Sequence, residues 1–298
     1  MEKMPVLWCI GCGDIGSGVG TALGAKNWEV IGVRRHPQAA SFSQLAVDVI
    51  NAPNDLRKLP SPDYVLYTLT PSERSEGAYT AAYDQAVQSV LSLLPATLKR
   101  FFLVSSTSVY PQQNGEWVDE QSPVAHSGFA ARALLAGEQH ALNGALPASV
   151  IRLSGIYGPG RDWLVRRAKA DTPVVKEPPK WTNRIHRDDA VGFLVHLLER
   201  VEQGQEVEPL YLATDSHPAT EWEVMSFLHQ QLGLPDPRIA TAEADPKMNK
   251  RLRNTQMLAS GYTLRYPSFQ QGYASPTPSL NTPPAVLQNS PPKSSSQN

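Results

Sequence analysis

The stretch "PVLWCIGCGDIGSGVGTALGAKNWEVIGVRR", residues 5–35, restricts the fold more than any other part of this 298-residue chain. An apolar run, "VLWCI", breaks at Gly11, a helical pattern follows through "VGTALGA", and a second apolar run, "EVIGV", ends near Val33. Strand, glycine turn, helix and strand in that order make a βαβ unit. The turn itself, "GCGDIG", has the G-x-G-x-x-G spacing. Gly11 allows the tight turn, Gly13 lets an anion approach the backbone, and Gly16 lets the helix pack close. The amides that open the helix, at Asp14 and Ile15, then face a diphosphate. A nicotinamide dinucleotide is the expected ligand. At the end of the second strand an NAD site would carry an acid for the ribose 2′-hydroxyl, whereas this chain carries Arg34 and Arg35. Guanidinium groups suit a 2′-phosphate, so NADP is expected ahead of NAD. Two arginines after a strand also suit plain solvated surface. Asp48 is read either as an acceptor for the adenine amino group or as a strand-end turn residue.

The alternation continues. "QLAVDVI" at 44–50, "DYVLYTL" at 63–69, a helical segment from Tyr79, "RFFLVSS" at 100–106 and "ASVIRLS" at 148–154 extend the pattern. Strands alternating with helices predict an α/β fold of Rossmann type, with a doubly wound parallel sheet. After "GIYGPGR" the order loosens, and "DTPVVKEPPKW" at 171–181 is Pro-rich. The expected organisation is a dinucleotide-binding core over 1–155 and a smaller, interleaved substrate lobe over 156–273. The helix 188–201 should pack back on the core, since its first turn is acidic and it carries an apolar stripe. Thr220 and Glu223 have capping-box spacing, and Gly233 should stop that helix. Residues 274–298 hold six prolines, six serines and one charge, too little apolar surface to offset the entropy of ordering, so a disordered tail is expected.

Charge excludes some partners. With 27 Lys and Arg against 28 Asp and Glu, the chain has no field to attract nucleic acid or an anionic membrane. No apolar run reaches the length of a spanning helix. Cys9 and Cys12 have C-x-x-C spacing, but Cys9 lies in a strand pattern rather than at a helix start, which argues against a redox pair, and a second ligand pair for zinc is missing. No metal is expected, and a reducing cytoplasm is the expected setting.

The segments "LWCIGCGDIG", "VIGVRR", "DYVLYTLTPSER", "RFFLVSSTSVY", "GEWVDE", "RLSGIYGPGR" and "NRIHRDDA", in this order, resemble the extended short-chain dehydrogenase/reductases of the NAD-dependent epimerase/dehydratase family, most of all its atypical YeeZ-like branch. The resemblance runs from about Met4 to Tyr273. It implies that Thr68, Leu69, Ser105 and Ile156 also line the cofactor, that Tyr157 and Arg161 face substrate, and that Ser106 stands where the family bonds the reacting oxygen. Ser106 and Arg161 each keep a plainer reading, as a strand-end hydroxyl and as the partner of an acid. The family's Tyr-x-x-x-Lys pair should lie on the helix that begins in "SGFAARALLAGEQ". Anchored on Glu138, its places fall on Ala130 and Leu134, and shifting by one gives Phe129 and Ala133. Both functional side chains are absent, which leaves that helix a packing and supporting role with Arg132 its one early charge. A relocated proton donor would be Tyr110, Tyr157 or a water near Ser106, since hydride transfer to a carbonyl leaves an alkoxide that needs a proton. His186 is read first as a structural residue near a helix start. Two functions stay open: an NADP-dependent oxidoreductase or epimerase acting on a small molecule, and a dinucleotide sensor without turnover. Homodimerisation also stays open.

Overall fold

The computed structural model describes residues 3–241 and 248–274. The expected tail lies outside the described residues, apart from Ala274, which ends a short helix. Val6–Ile10 (β1), Asp14–Gly24 (α1) and Glu29–Arg34 (β2) form the opening βαβ unit, with β1 and β2 parallel. Ser43–Ala46 (β3), Tyr64–Tyr67 (β4) and Arg100–Ser106 (β5) follow. Glu76–Tyr79 (α2), a π turn over Thr80–Gln85 and Ala86–Leu93 (α3) connect the last two as one helical segment. Then come Glu116–Val118 (β6), Gly128–Leu142 (α4) and Ala148–Leu153 (β7). The remainder comprises Gly155–Tyr157 (β8), Trp163–Lys169 (α5), Trp181–Thr182 (β9), Arg184–His186 (β10), Arg187–Glu202 (α6) and Leu210–Ala213 (β11). Ala219–Thr220 (β12), Glu221–Gln231 (α7), Lys250–Leu252 (β13), Thr255–Ala259 (α8) and Phe269–Ala274 (α9) complete it.

Seven strands make one parallel sheet in the order β11-β7-β5-β4-β1-β2-β3. The strands are apolar almost throughout because both faces are covered. Leu7, Cys9, Tyr64, Leu66 and Phe102 meet α1 and α6 on one side, through Val19, Leu23, Leu194 and Leu198. Val6, Trp8, Ile10, Tyr67, Phe101 and Leu103 meet α3 and α4 on the other, through Val87, Val90 and Ala141. The direction of winding reverses between β1 and β4, and at such a switch point a crevice opens beyond the carboxyl ends of the strands.

Two expected elements differ at their ends. The third strand stops at Ala46, short of the run 44–50, because the Asp48 carboxylate accepts from the amides of Ile50 and Asn51 and turns the chain. The helix expected from Tyr79 begins at Glu76, where the Ser75 hydroxyl caps it by accepting from the Ala78 amide at 3.3 Å. The capping box on α7 is present in full: the Thr220 hydroxyl accepts from the Glu223 amide at 3.1 Å, and the Glu223 carboxylate accepts from the Thr220 amide at 2.7 Å. Asp189, in the acidic first turn of α6, points inward and binds the Tyr262 hydroxyl and the amides of Arg265 and Tyr266. It thereby ties the returning chain to α6.

Off the edge of the sheet, short pairings assemble a second group of elements: β8 with β10, β9 with β12, and β6 with β13. Asn183 and Asn249 bind these ribbons together, Asn183 by donating to the Lys250 carbonyl and accepting from the Leu252 amide, both at 2.8 Å. Tyr157, Val174, Val224, Met225 and Phe269 form a small apolar core beneath them.

Candidate functional site

The carboxyl edge of the sheet carries two hollows. The first sits on the glycine turn. Gly11 has φ +76°, and a Cβ there would lie 2.2 Å from the Leu69 Cα, so only glycine lets the β1 and β4 loops touch. At Gly16 a Cβ would fall 2.8 Å from the Cys9 sulfur, which is how α1 packs close on β1. Gly13 differs: its nearest atom would be a carbonyl oxygen at 3.8 Å, so the space above it is open. It caps α1 without a side-chain acceptor, leaving first-turn N–H groups for a ligand. A diphosphate fits such a cradle.

Gly11, Gly13, Arg34, Arg35, Asp48 and Leu69 line this one cleft, joined by Cys12, His36, Thr70 and Ser72. The Arg34 guanidinium rests on the lip of the turn, donating to the Cys12 carbonyl and to the Gln38 side chain, both at 3.1 Å. Asp48 spends its oxygens on Asn51 and the adjoining amides. Thr68 lies under the turn rather than in the cleft, its hydroxyl donating to the Gly11 carbonyl at 2.8 Å. Cys9 and Cys12 are free, buried thiols. A hydrogen bond from Cys9, outweighing burial, lowers Cys12 to about 7. Among the described residues no three His, Cys, Asp or Glu side chains come together to hold a metal ion, and no helix is long and apolar enough to cross a membrane.

The second hollow lies beyond β5 and β7. Ile156, Tyr157 and Arg161 line it, with Thr107, Arg184, Lys250 and Tyr273. Arg161 is not free: Asp14 holds it at 2.8 Å and holds Arg187 at 2.9 Å. Burial pushes the Asp14 carboxyl up, but the two guanidinium groups outweigh it and keep it below the usual carboxylate range. The Tyr157 hydroxyl donates to the Ser268 carbonyl at 3.3 Å, and burial raises its pKa.

Behind these hollows runs a buried polar network. Glu138 accepts from the Ser105 hydroxyl at 2.5 Å and forks with Arg152 at 3.0 and 2.5 Å; Arg152 in turn donates to the Tyr110 hydroxyl at 2.6 Å. Removing one partner of so buried an ion pair costs about 3–5 kcal/mol. Ser105 and Tyr110 thus tie β5, β7 and α4 together. Burial pushes the Tyr110 phenol up to about 12, against the pull of Arg152. Ser106 accepts from the Ser108 amide at 3.2 Å and caps a short 3-10 turn over Thr107–Val109. Leu134 sits in an apolar cluster with Val109, Tyr110, Leu135 and Leu212, so this position is core. Ala130 is half-buried, and Arg132 pairs with Glu76 at 2.7 Å on the surface. His186 caps α6 through its Nδ1, which accepts from the Asp188 amide at 3.2 Å, and burial lowers its pKa.

His36, Thr70, Ser72, Arg184 and Arg152 were not singled out from the sequence. The first three lie shortly past strand ends, so a reading of every residue past a parallel strand would have found them. Lys250 opens the basic run Lys250 to Arg253, which reads from the sequence as a solvated helix face; the structure corrects that, since the segment holds strand β13 and Lys250 is buried.

This arrangement is that of a Rossmann-type sheet with a cleft on its glycine turn and a second cavity beside it. The profile of the NAD dependent epimerase/dehydratase family matches residues 11–212, more than half of the chain, and the chain belongs to that family. A solved structure from Methylobacillus flagellatus, assigned to NAD-dependent epimerase/dehydratases, is 34% identical with TM-score 0.75, over 91% of this chain and 97% of that one. MoeE5, solved with UDP-glucose and NAD, is 21% identical with TM-score 0.72, over 91% and 96% of the two chains. The human epimerase family protein SDR39U1, isoform 2, solved with NADPH, is 20% identical with TM-score 0.70, over 90% and 97%. No curated protein matches the chain.

Proposed function

We propose that this protein is an NADP-preferring oxidoreductase or epimerase/dehydratase that acts on a small carbonyl, hydroxyl or nucleotide-sugar-like substrate without a Tyr-x-x-x-Lys pair. The observation that carries this reading is convergence: Gly11, Gly13, Arg34, Arg35, Asp48 and Leu69, drawn from four strand ends, line one cleft. Gly13 and the opening amides of α1 would hold the diphosphate, and Arg34 and Arg35 the 2′-phosphate. A bound nicotinamide supplies hydride chemistry. The chain's own part is to place substrate in the cavity past β5 and β7, keep water from it and deliver a proton. Tyr110 and Tyr157 suit that last task poorly, since burial raises both phenols and each hydroxyl already has a partner. A hydroxyl or water near Ser106 and Thr107, at the mouth of the cavity, is the donor this reading favours.

A second reading, an NADP(H) sensor without turnover, draws support from Leu134, whose packing closes the lysine place. Stereospecifically deuterated NADPH, incubated with carbonyl compounds and nucleotide sugars, separates the two. Transfer of label to a product is the expected outcome. Tight binding of NADPH with no transfer to any substrate would favour the sensor.

A further inference from the structure

The cavity beyond β5 and β7, of about 520 Å³, has an unbalanced lining. Two of its lining cations are paired: Asp14 takes Arg161, and Glu221 takes Lys180. Deeper in, Arg184 and Lys250 are only 5% and 2% exposed, and neither enters an ion pair among the described residues. Arg184 donates to the Thr182 hydroxyl at 2.6 Å and stands over the Phe269 ring, while its Nη1 finds no partner. Lys250 Nζ donates to the Tyr110 carbonyl at 2.8 Å, an uncharged acceptor. Asp215 and Glu221 attract Arg184 electrostatically without pairing with it, and burial pushes the Asp215 carboxyl up to about 7. The Tyr273 hydroxyl, which also lines the cavity, finds no hydrogen-bond partner among the described residues, and neither does the Asp215 Oδ2.

Buried cations with no carboxylate of the described residues at ion-pair distance lose their hydration and receive less than a full ion pair in return. A cavity that keeps two of them is built for negative charge brought from outside. We propose that the cavity binds a small oxyanion, a carboxylate or a phosphate carried by the substrate, with Lys250 and Arg184 as its recognising groups. This names the substrate class of the site proposed above; it rests on that reading for the reaction, though not for the binding. It also moves the anion contact away from Arg161, whose charge Asp14 already meets. Burial pushes Lys250 down to about 8, the direction expected of an ammonium that awaits an anion.

The test uses the full chain and three probes with one carbon frame: glycerol 3-phosphate, glycerate and uncharged glycerol. In calorimetric titrations at least one of the two anions binds the wild type and glycerol does not; which anion binds names the source of the charge. Lys250→Met weakens that binding at least about tenfold. A second measurement needs no variant. The bound anion shields Lys250 from acylation by acetic anhydride, read on its peptide by mass spectrometry, and glycerol gives no shielding. The proposal is overturned if neither anion binds, if glycerol binds as well as they do, if folded Lys250→Met binds as tightly as wild type, or if Lys250 acylates at the same rate with and without anion. NADPH is titrated in parallel. Loss of anion binding with NADPH binding intact rejects this inference alone, and anion binding without NADPH binding upholds it while rejecting the function proposed above.

Discussion

The two hollows on the carboxyl edge of the sheet are built in opposite ways. The glycine cleft is made of backbone: a turn with φ +76° at Gly11, open space over Gly13 and a helix end without a side-chain cap. The cavity is made of side chains, delivered by ribbons of two or three residues and bound to one another by Asn183 and Asn249. The difference teaches that a hollow of the first kind is specified locally, by conformations that only short segments need to adopt. A hollow of the second kind depends on long-range assembly and can change its lining without disturbing the other.

If that separation holds, a change at Gly13 should abolish binding and leave the fold intact. A Gly13→Ala Cβ meets nothing closer than a carbonyl oxygen at 3.8 Å, at φ −89°, so the melting temperature should stay near that of wild type. NADPH affinity should fall at least about 100-fold, roughly 2.7 kcal/mol. A marked loss of stability would show that the turn is not the independent unit described. The converse change lies in the ribbons. Asn183→Ala leaves the Leu252 amide and the Lys250 carbonyl without their side-chain partner, which costs about 1–3 kcal/mol in chemical denaturation. NADPH affinity should be unchanged, and a parallel drop would mean that the two hollows are coupled.

The smallest effect concerns pH and belongs to the cavity alone. Burial pushes Lys250 down to about 8 in the folded protein, from an ordinary value of 10.5. Between those values the unfolded chain holds a proton that the folded chain releases, so stability rises with pH across that window. The contribution is up to about 1.4 kcal/mol per pH unit. Urea melts of wild type and Lys250→Met at pH 8, 9 and 10 should differ by this slope, with the variant the flatter of the two. Identical slopes would show that Lys250 is not held in its neutral direction by burial.

The same contrast explains what could be read from the residues in order. The βαβ opening, the alternation that follows and the capping box on α7 depend on spacings of a few residues, and the sheet and its winding could be anticipated from them. So could the cleft lining at Gly11, Gly13, Arg34 and Arg35, which lie in one unit. Pairings across the fold could not. Arg161 is separated by 147 positions from Asp14, and Tyr110 by 42 from Arg152, and nothing local marks either pair. Hence Ser105, near the end of β5, and Tyr110, just beyond it, turn out to bind inward to Glu138 and Arg152. Lys250, Arg184 and Tyr273 come together only through strand pairings too short to leave a periodic trace.

The bland helix α4 belongs to this second kind of information. That Ala130 and Leu134 carry no polar group is visible in the chain, but the reason the helix stays apolar is its packing, with Leu134 and Leu135 closing over Tyr110. Glu138 is the one acid that reaches back to the sheet.

The most direct test of the central claim, that the glycine turn and the two arginines beside it hold a phosphorylated dinucleotide, is a titration of the purified protein with NADPH and with NADH, repeated on Arg34→Ala/Arg35→Ala. The account predicts that both bind wild type, that NADPH binds at least about tenfold tighter, about 1.4 kcal/mol, and that the double variant loses this preference while keeping NADH. Binding of neither dinucleotide, or a preference untouched by the double variant, would contradict it.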